Sequence, residues 1–198
     1  MKTGVKIILG CLAVIIIIVI AYFTIYNKLI GLDENVNQTW AQVQNVYQRQ
    51  YDLIPNLVET VKGYATHEKT TFLAVTEARS KAGGTINLQA KDLTPENLAQ
   101  FQQAQTSLGG ALSRLLVVLE RYPELKANQN FMQLQNELEG TQNRITVERQ
   151  RFNRAVQVFN RTIRTYPSKW IAERIGFTTP KPYFEADKEA QEVPKVKF

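Results

Sequence analysis

Between Leu32 and Ala65 apolar side chains recur at spacings of three and four: Leu32, Val36, Trp40, Val43, Tyr47, Tyr51, Ile54, Val58, Val61 and Ala65. That rhythm marks one face of a helix, because 3.6 residues complete a turn. The stripe resumes at Phe72 and Val75, and the pair Gly83-Gly84 predicts a left-handed cap and a turn, so a first helix is expected to reach Ala82. Thr94-Pro95-Glu96 announces a second helix: an N-cap, a proline at the first helical position and an acid facing the positive end of the dipole. Its seam runs through Leu98, Phe101, Gln105, Leu108, Leu112, Leu115, Leu119 and Tyr122, where Pro123 forces the preceding residue out of helical conformation. A third helix is expected from about Asn128, with Phe131, Leu138, Ile145, Phe152, Phe159 and Tyr166 repeating every seven residues until Pro167. A short amphipathic piece, 169–175, follows. The prolines at 180, 182 and 194 predict an extended tail.

One residue interrupts the pattern. Pro55 removes the hydrogen bond to the carbonyl of Tyr51, a loss of roughly 3 kcal/mol in mid-helix unless the helix restarts with Asp52 as its cap. The stripe keeps phase through Tyr51, Ile54 and Val58, and no glycine is at hand for a reversal, so a kinked but continuous helix is expected, with Asp52, Pro55 and Asn56 at the kink.

Ahead of the stripe, no ionisable side chain other than Cys11 and the tyrosines occurs from Ile7 to Tyr26, a run of about 30 Å in helical form, matching a hydrocarbon core. It predicts a transmembrane helix with Tyr22, Phe23 and Tyr26 as an aromatic belt at its exit. A cleaved signal peptide would have a shorter apolar core and a small-residue cleavage site. Ile8-Leu9-Gly10-Cys11 leaves lipid attachment as a lesser alternative. Lys2 and Lys6 precede the segment and Lys28 alone follows closely, which favours a cytoplasmic amino terminus and an external domain.

Helix lengths then carry a functional expectation. A second helix of roughly 28 residues descending from Gly83-Gly84 reaches back only to about Pro55. Leu32, Val36, Trp40, Val43 and Tyr47 would lack a partner in their own chain and would form the interface of a homo-oligomer; the alternative is that the tail or a bent third helix covers them. Gln38, Gln42, Gln44, Gln48 and Gln50 fit either a polar contact face or solvated surface.

The catalytic inventory is thin. His67 is the sole histidine, with no ligating partners in sequence, so a surface role is expected and neither metal nor cofactor. Gly83-Gly84 and Gly109-Gly110 lack the context of a phosphate loop and read as a cap and a close-packing site. The arginines from Arg144 to Arg164 contribute to a net charge of +6, but at helical spacing they spread over several faces, which argues for pairing with acids rather than for nucleic acid.

The blocks Asp52-Leu53-Ile54-Pro55-Asn56-Leu57-Val58, Val61-Lys62-Gly63-Tyr64-Ala65, His67-Glu68, Glu77-Ala78-Arg79, Tyr122-Pro123-Glu124-Leu125-Lys126-Ala127, Glu148-Arg149 with Phe152-Asn153, and Phe184-Glu185, behind an apolar N-terminus, resemble the bacterial LemA family. The resemblance implies a membrane-anchored antiparallel helical domain and brings no catalytic residues. The expected molecule is thus all-α: an anchor at 1–27, a domain of three long helices and one short helix at 28–176, and a tail at 177–198. The expected function is a non-enzymatic scaffold of the bacterial inner membrane that self-assembles into a coiled-coil-like homo-oligomer. The alternative is an adaptor for a membrane protease, transporter or signalling partner, with Tyr183 and Phe184 as docking residues.

Overall fold

The computed structural model describes residues 2–65 and 67–185, and the only regular structure among them is helical. The elements are α1 (Lys2–Lys62), α2 (Lys69–Ile86), a 3-10 turn (Ala90–Asp92), α3 (Pro95–Leu119), α4 (Pro123–Lys126), α5 (Gln129–Arg164) and α6 (Ser168–Arg174). Two caps form as their sequences predict: Thr94 accepts from the Asn97 amide and Asn128 from the Phe131 amide, both at 3.1 Å.

The first helix ends earlier than expected. It continues through Pro55 without a restart but stops at Lys62, where the amides of Tyr64 and Ala65 both donate to the Val61 carbonyl at 3.0 Å. Chain reversal occurs here rather than at Gly83-Gly84. Two side-chain bonds hold it: Asn128 Nδ2 donates to Tyr64 Oη at 2.9 Å, and Tyr122 Oη donates to Glu68 Oε1 at 3.3 Å.

From this reversal α2 follows α1 with falling register. Arg79 lies against Tyr51, and Gln44 donates to the carbonyls of Ile86 and Leu88. Trp40 Nε1 donates to the same Leu88 carbonyl at 2.7 Å. Phe101 of α3 then meets Trp40 and Tyr47, and the chain climbs back to Tyr122 beside Glu68. Helix α5 runs down α1 as far as Leu29: Arg49 pairs with Glu137, Gln50 bonds Gln142, Trp40 meets Phe152, and Ile163 joins the cluster holding Leu29.

The apolar interior falls into two clusters. The distal one joins Leu53 to Val61 of α1, and Ala65 in the turn beyond it, with the buried faces of α2, α3 and the start of α5. The proximal one joins Leu29 to Tyr47 with Phe101, the later residues of α5, α6 and Phe184.

This arrangement overturns the expected homo-oligomer stripe. Val36, Trp40, Val43 and Tyr47 are buried, Trp40 to 1% exposure, and Leu32 is half-buried, all within one chain. Lengths explain the correction. With the reversal at Lys62, α5 starts at the top of α1, and its 36 residues span about 54 Å. The stretch of α1 from Leu29 to Lys62 measures about 50 Å by the same rise, so it is covered to its base.

Candidate functional site

Tyr51, Pro55 and Arg79 form one knot. Proline at position 55 deprives the Tyr51 carbonyl of its helical donor. Arg79 Nε, on α2, donates to that oxygen at 3.2 Å, and its guanidinium lies 3.7 Å from the centroid of the Tyr51 ring. Gly83, one helical turn further along, receives the edge of the same ring: a Cβ there would stand 2.7 Å from Tyr51 Cε2. Gly83 is therefore part of the α1–α2 contact, and the glycine pair lies inside α2 and is not a cap. Nothing crowds Gly84 within 4 Å. Asp52 caps no helix; it is exposed and accepts from Gln48 at 2.8 Å, and Asn56 is exposed as well.

A second knot binds the C-terminal segment. Beyond Gly176, whose φ of +90° suits its place just past the end of α6, the chain folds back over α5 and α3. Asn160 donates to the Lys181 carbonyl and accepts from the Lys181 amide, both at 2.8 Å. Asn153 treats Phe184 in the same way, at 3.0 and 2.9 Å. The Glu185 carbonyl accepts from Gln102 at 2.7 Å and from Arg149 at 3.0 Å. Side-chain amides thus serve this strap as a neighbouring strand would. Phe184 is 6% exposed and meets Trp40, Phe101 and Phe152 at centroid distances of 6.1, 6.2 and 5.5 Å, with the Arg149 guanidinium over its ring at 4.7 Å.

Phe184 is consequently a core residue, correcting its expected role in partner docking, whereas Tyr183 beside it is exposed. Residues 177–185 belong to the domain, and the remainder of the expected tail lies outside the described residues. Gly109-Gly110 is not a close-packing site: nothing stands within 4 Å of a Cβ at Gly109, and only Arg114 Nη1, at 3.8 Å, near Gly110.

The remaining candidates do not converge. His67 is exposed, and no group of three or more His, Cys, Asp or Glu among the described residues is placed to hold a metal ion. An open depression of about 780 Å³ between α1 and α5 is lined by Arg49, Glu137, Thr141 and Arg144, with the Arg49–Glu137 pair at 2.8 Å across it. A pair this exposed is worth about 0–1 kcal/mol. Of the α5 arginines, Arg151 pairs with Glu148 at 2.7 Å, while Arg149 donates to the Glu185 carbonyl; on α1, Lys62 pairs with Glu59, also at 2.7 Å.

Blocks far apart in sequence therefore meet in space. The Asp52–Val58 block and its neighbour Tyr51 join Glu77-Ala78-Arg79; Tyr64 and Glu68 join Asn128 and Tyr122; Arg149 and Asn153 join Phe184 and Glu185. Magnetosome protein MamQ 1 of Paramagnetospirillum magneticum is 24% identical over 187 residues, 86% of this chain and 68% of its own length. Magnetosome protein MamQ of Magnetospirillum gryphiswaldense is 23% identical over 84% of this chain and 68% of its own. Protein LemA of Metamycoplasma hominis is 24% identical over 87% and 76%. The sequence profile of the LemA family matches residues 39–198, which takes in both knots and the reversal after Lys62, and the chain belongs to the LemA family.

Proposed function

We propose that this protein is a non-enzymatic, membrane-anchored structural protein whose helical domain, an antiparallel bundle, stands as a rigid strut on the bacterial inner membrane. One observation carries the reading. Helix α1 passes unbroken from an exposed apolar segment, long enough to cross a membrane, into the core of the domain, and Leu29, three residues beyond Tyr26, is already 0% exposed. No loop separates anchor from domain, so the bilayer fixes the domain's position and tilt. Lys2 and Lys6 against Lys28 support a cytoplasmic amino terminus and a domain outside.

Self-association, if it accompanies this role, would use surfaces other than the covered stripe. The adaptor alternative loses Phe184 as a docking residue and keeps Tyr183.

Spin labels test the strut. The full chain is labelled at Cys11 and at Gln42→Cys, an exposed position on α1, and reconstituted in vesicles. Thirty-one residues of continuous helix place the two backbones about 46 Å apart. A narrow distance distribution near that value is expected; a broad one would overturn the strut, and failure of the chain to float with the vesicles would overturn the anchor.

A further inference from the structure

Tyr166 is expected at the end of the heptad seam of α5, but the helix stops at Arg164 and the ring turns outward, 63% exposed. It meets Trp170 edge-on at 5.1 Å, and Trp170 is 66% exposed, while Lys169 lies over the Tyr166 ring at 5.6 Å. The opposite face of α6 is core: Ile171 and Ala172 are buried in the cluster that contains Leu29, with Ile25 and Tyr26 at its edge. Helix α6 therefore stands beside the part of α1 where the apolar run ends. If Ile7–Tyr26 fills the hydrocarbon layer, Leu29 lies about 4.5 Å beyond it, within a headgroup layer roughly 5–8 Å deep.

We infer that Tyr166 and Trp170 insert into the headgroup layer of the same bilayer that α1 crosses, and that this second contact favours anionic lipid. The inference rests on the membrane-anchor reading above. Exposed tryptophan and tyrosine at this depth find both an apolar and a polar surrounding, which is why such rings gather at membrane interfaces. The charge at this end is complementary. Lys28, Arg161, Arg164, Lys169 and Arg174 lie here against Glu34 and Glu173, while Asp33 is paired with Lys181 at 2.7 Å. Basic side chains near an anionic surface are drawn to it electrostatically. Two contacts on different helices, α1 through the layer and α6 upon it, would stop the domain from rotating about the axis of α1.

The chain has two tryptophans, Trp40 in the core and Trp170 at the base, which makes the test direct. The full chain and its Trp170→Phe variant are reconstituted in phosphatidylcholine–phosphatidylglycerol vesicles, with or without bromine in the upper acyl chains. Bromolipid is expected to remove an emission component that Trp170→Phe lacks, and Arg164→Glu with Arg174→Glu to diminish that loss. A chain that floats with the vesicles but shows equal emission with and without bromine would overturn this inference and leave the anchor standing. A chain that does not float would overturn both. Trp170 shielded from aqueous acrylamide yet untouched by bromolipid would assign the face to a second copy or another protein, and would also overturn the lipid contact.

Discussion

The carbonyl of Tyr51 illustrates how a single missing proton organises two helices. Pro55 withholds the donor, and Arg79 supplies another from α2 at 3.2 Å. Arg79→Met is expected to cost about 1.5–3 kcal/mol, the usual range for a hydrogen bond from a charged donor. In a Pro55→Ala background the helix regains its own donor, so the same substitution should cost about 1 kcal/mol less. Thermal unfolding in mild detergent, followed by circular dichroism, checks this, and identical costs in the two backgrounds would refute the exchange of donors. The neighbouring glycines give a pair of opposite signs. Gly84→Ala meets no neighbour and should stabilise α2 by roughly 0.5–1 kcal/mol. Gly83→Ala drives a methyl into the Tyr51 ring, which Arg79 pins from its face, and should destabilise by about 1–3 kcal/mol. Equal shifts in melting temperature for the two variants would show that the ring yields freely.

At the scale of elements, the strap 177–185 behaves as part of the fold. Phe184→Ala removes a ring from a cluster of four aromatic residues and is expected to cost about 3–5 kcal/mol. The adaptor alternative, which placed Phe184 on the surface, requires no loss of stability, so an unchanged melting temperature would favour it. What sequence reveals and what it hides separate along the same line. Thr94, Asn128, Pro123 and Pro167 act through their immediate neighbours, and the helix ends they predict are found within a few residues. The reversal after Lys62 left one local sign, Gly63, but the apolar stripe stays in phase across Val61, Ala65 and Phe72, and the bonds that hold the turn come from Tyr122 and Asn128, more than fifty residues away. Gly83-Gly84 carries the composition of a turn but answers to a ring on another helix. Asn153, Asn160 and Gln102 look like ordinary polar surface until the strap they bind is in view. Residues whose role depends on a distant segment are silent in a local pattern.

For the molecule as a whole, the misplaced reversal had the largest consequence, since it decided whether the proximal half of α1 was a contact surface or a core. Moving the turn from Gly83 to Lys62 brings the start of α5 to the top of the rod and its end to Leu29, and the five residues expected between copies become interior or half-interior ones. The two arrangements predict different fates for Trp40→Glu. An interface residue would yield a folded chain in a smaller particle. Here the indole is 1% exposed, ringed by Phe101, Phe152 and Phe184, and donates to the Leu88 carbonyl at 2.7 Å. A carboxylate in that position would be an unpaired charge among aromatic rings and would leave the Leu88 carbonyl with Gln44 as its remaining donor, a penalty of several kcal/mol, comparable to a typical folding stability of about 5–15 kcal/mol. The expected result is loss of the cooperative unfolding transition, not a change of particle mass. Light scattering and circular dichroism on the same detergent-extracted sample separate the two: a fully helical, cooperatively melting Trp40→Glu protein of reduced mass would return the stripe to the outside of the molecule.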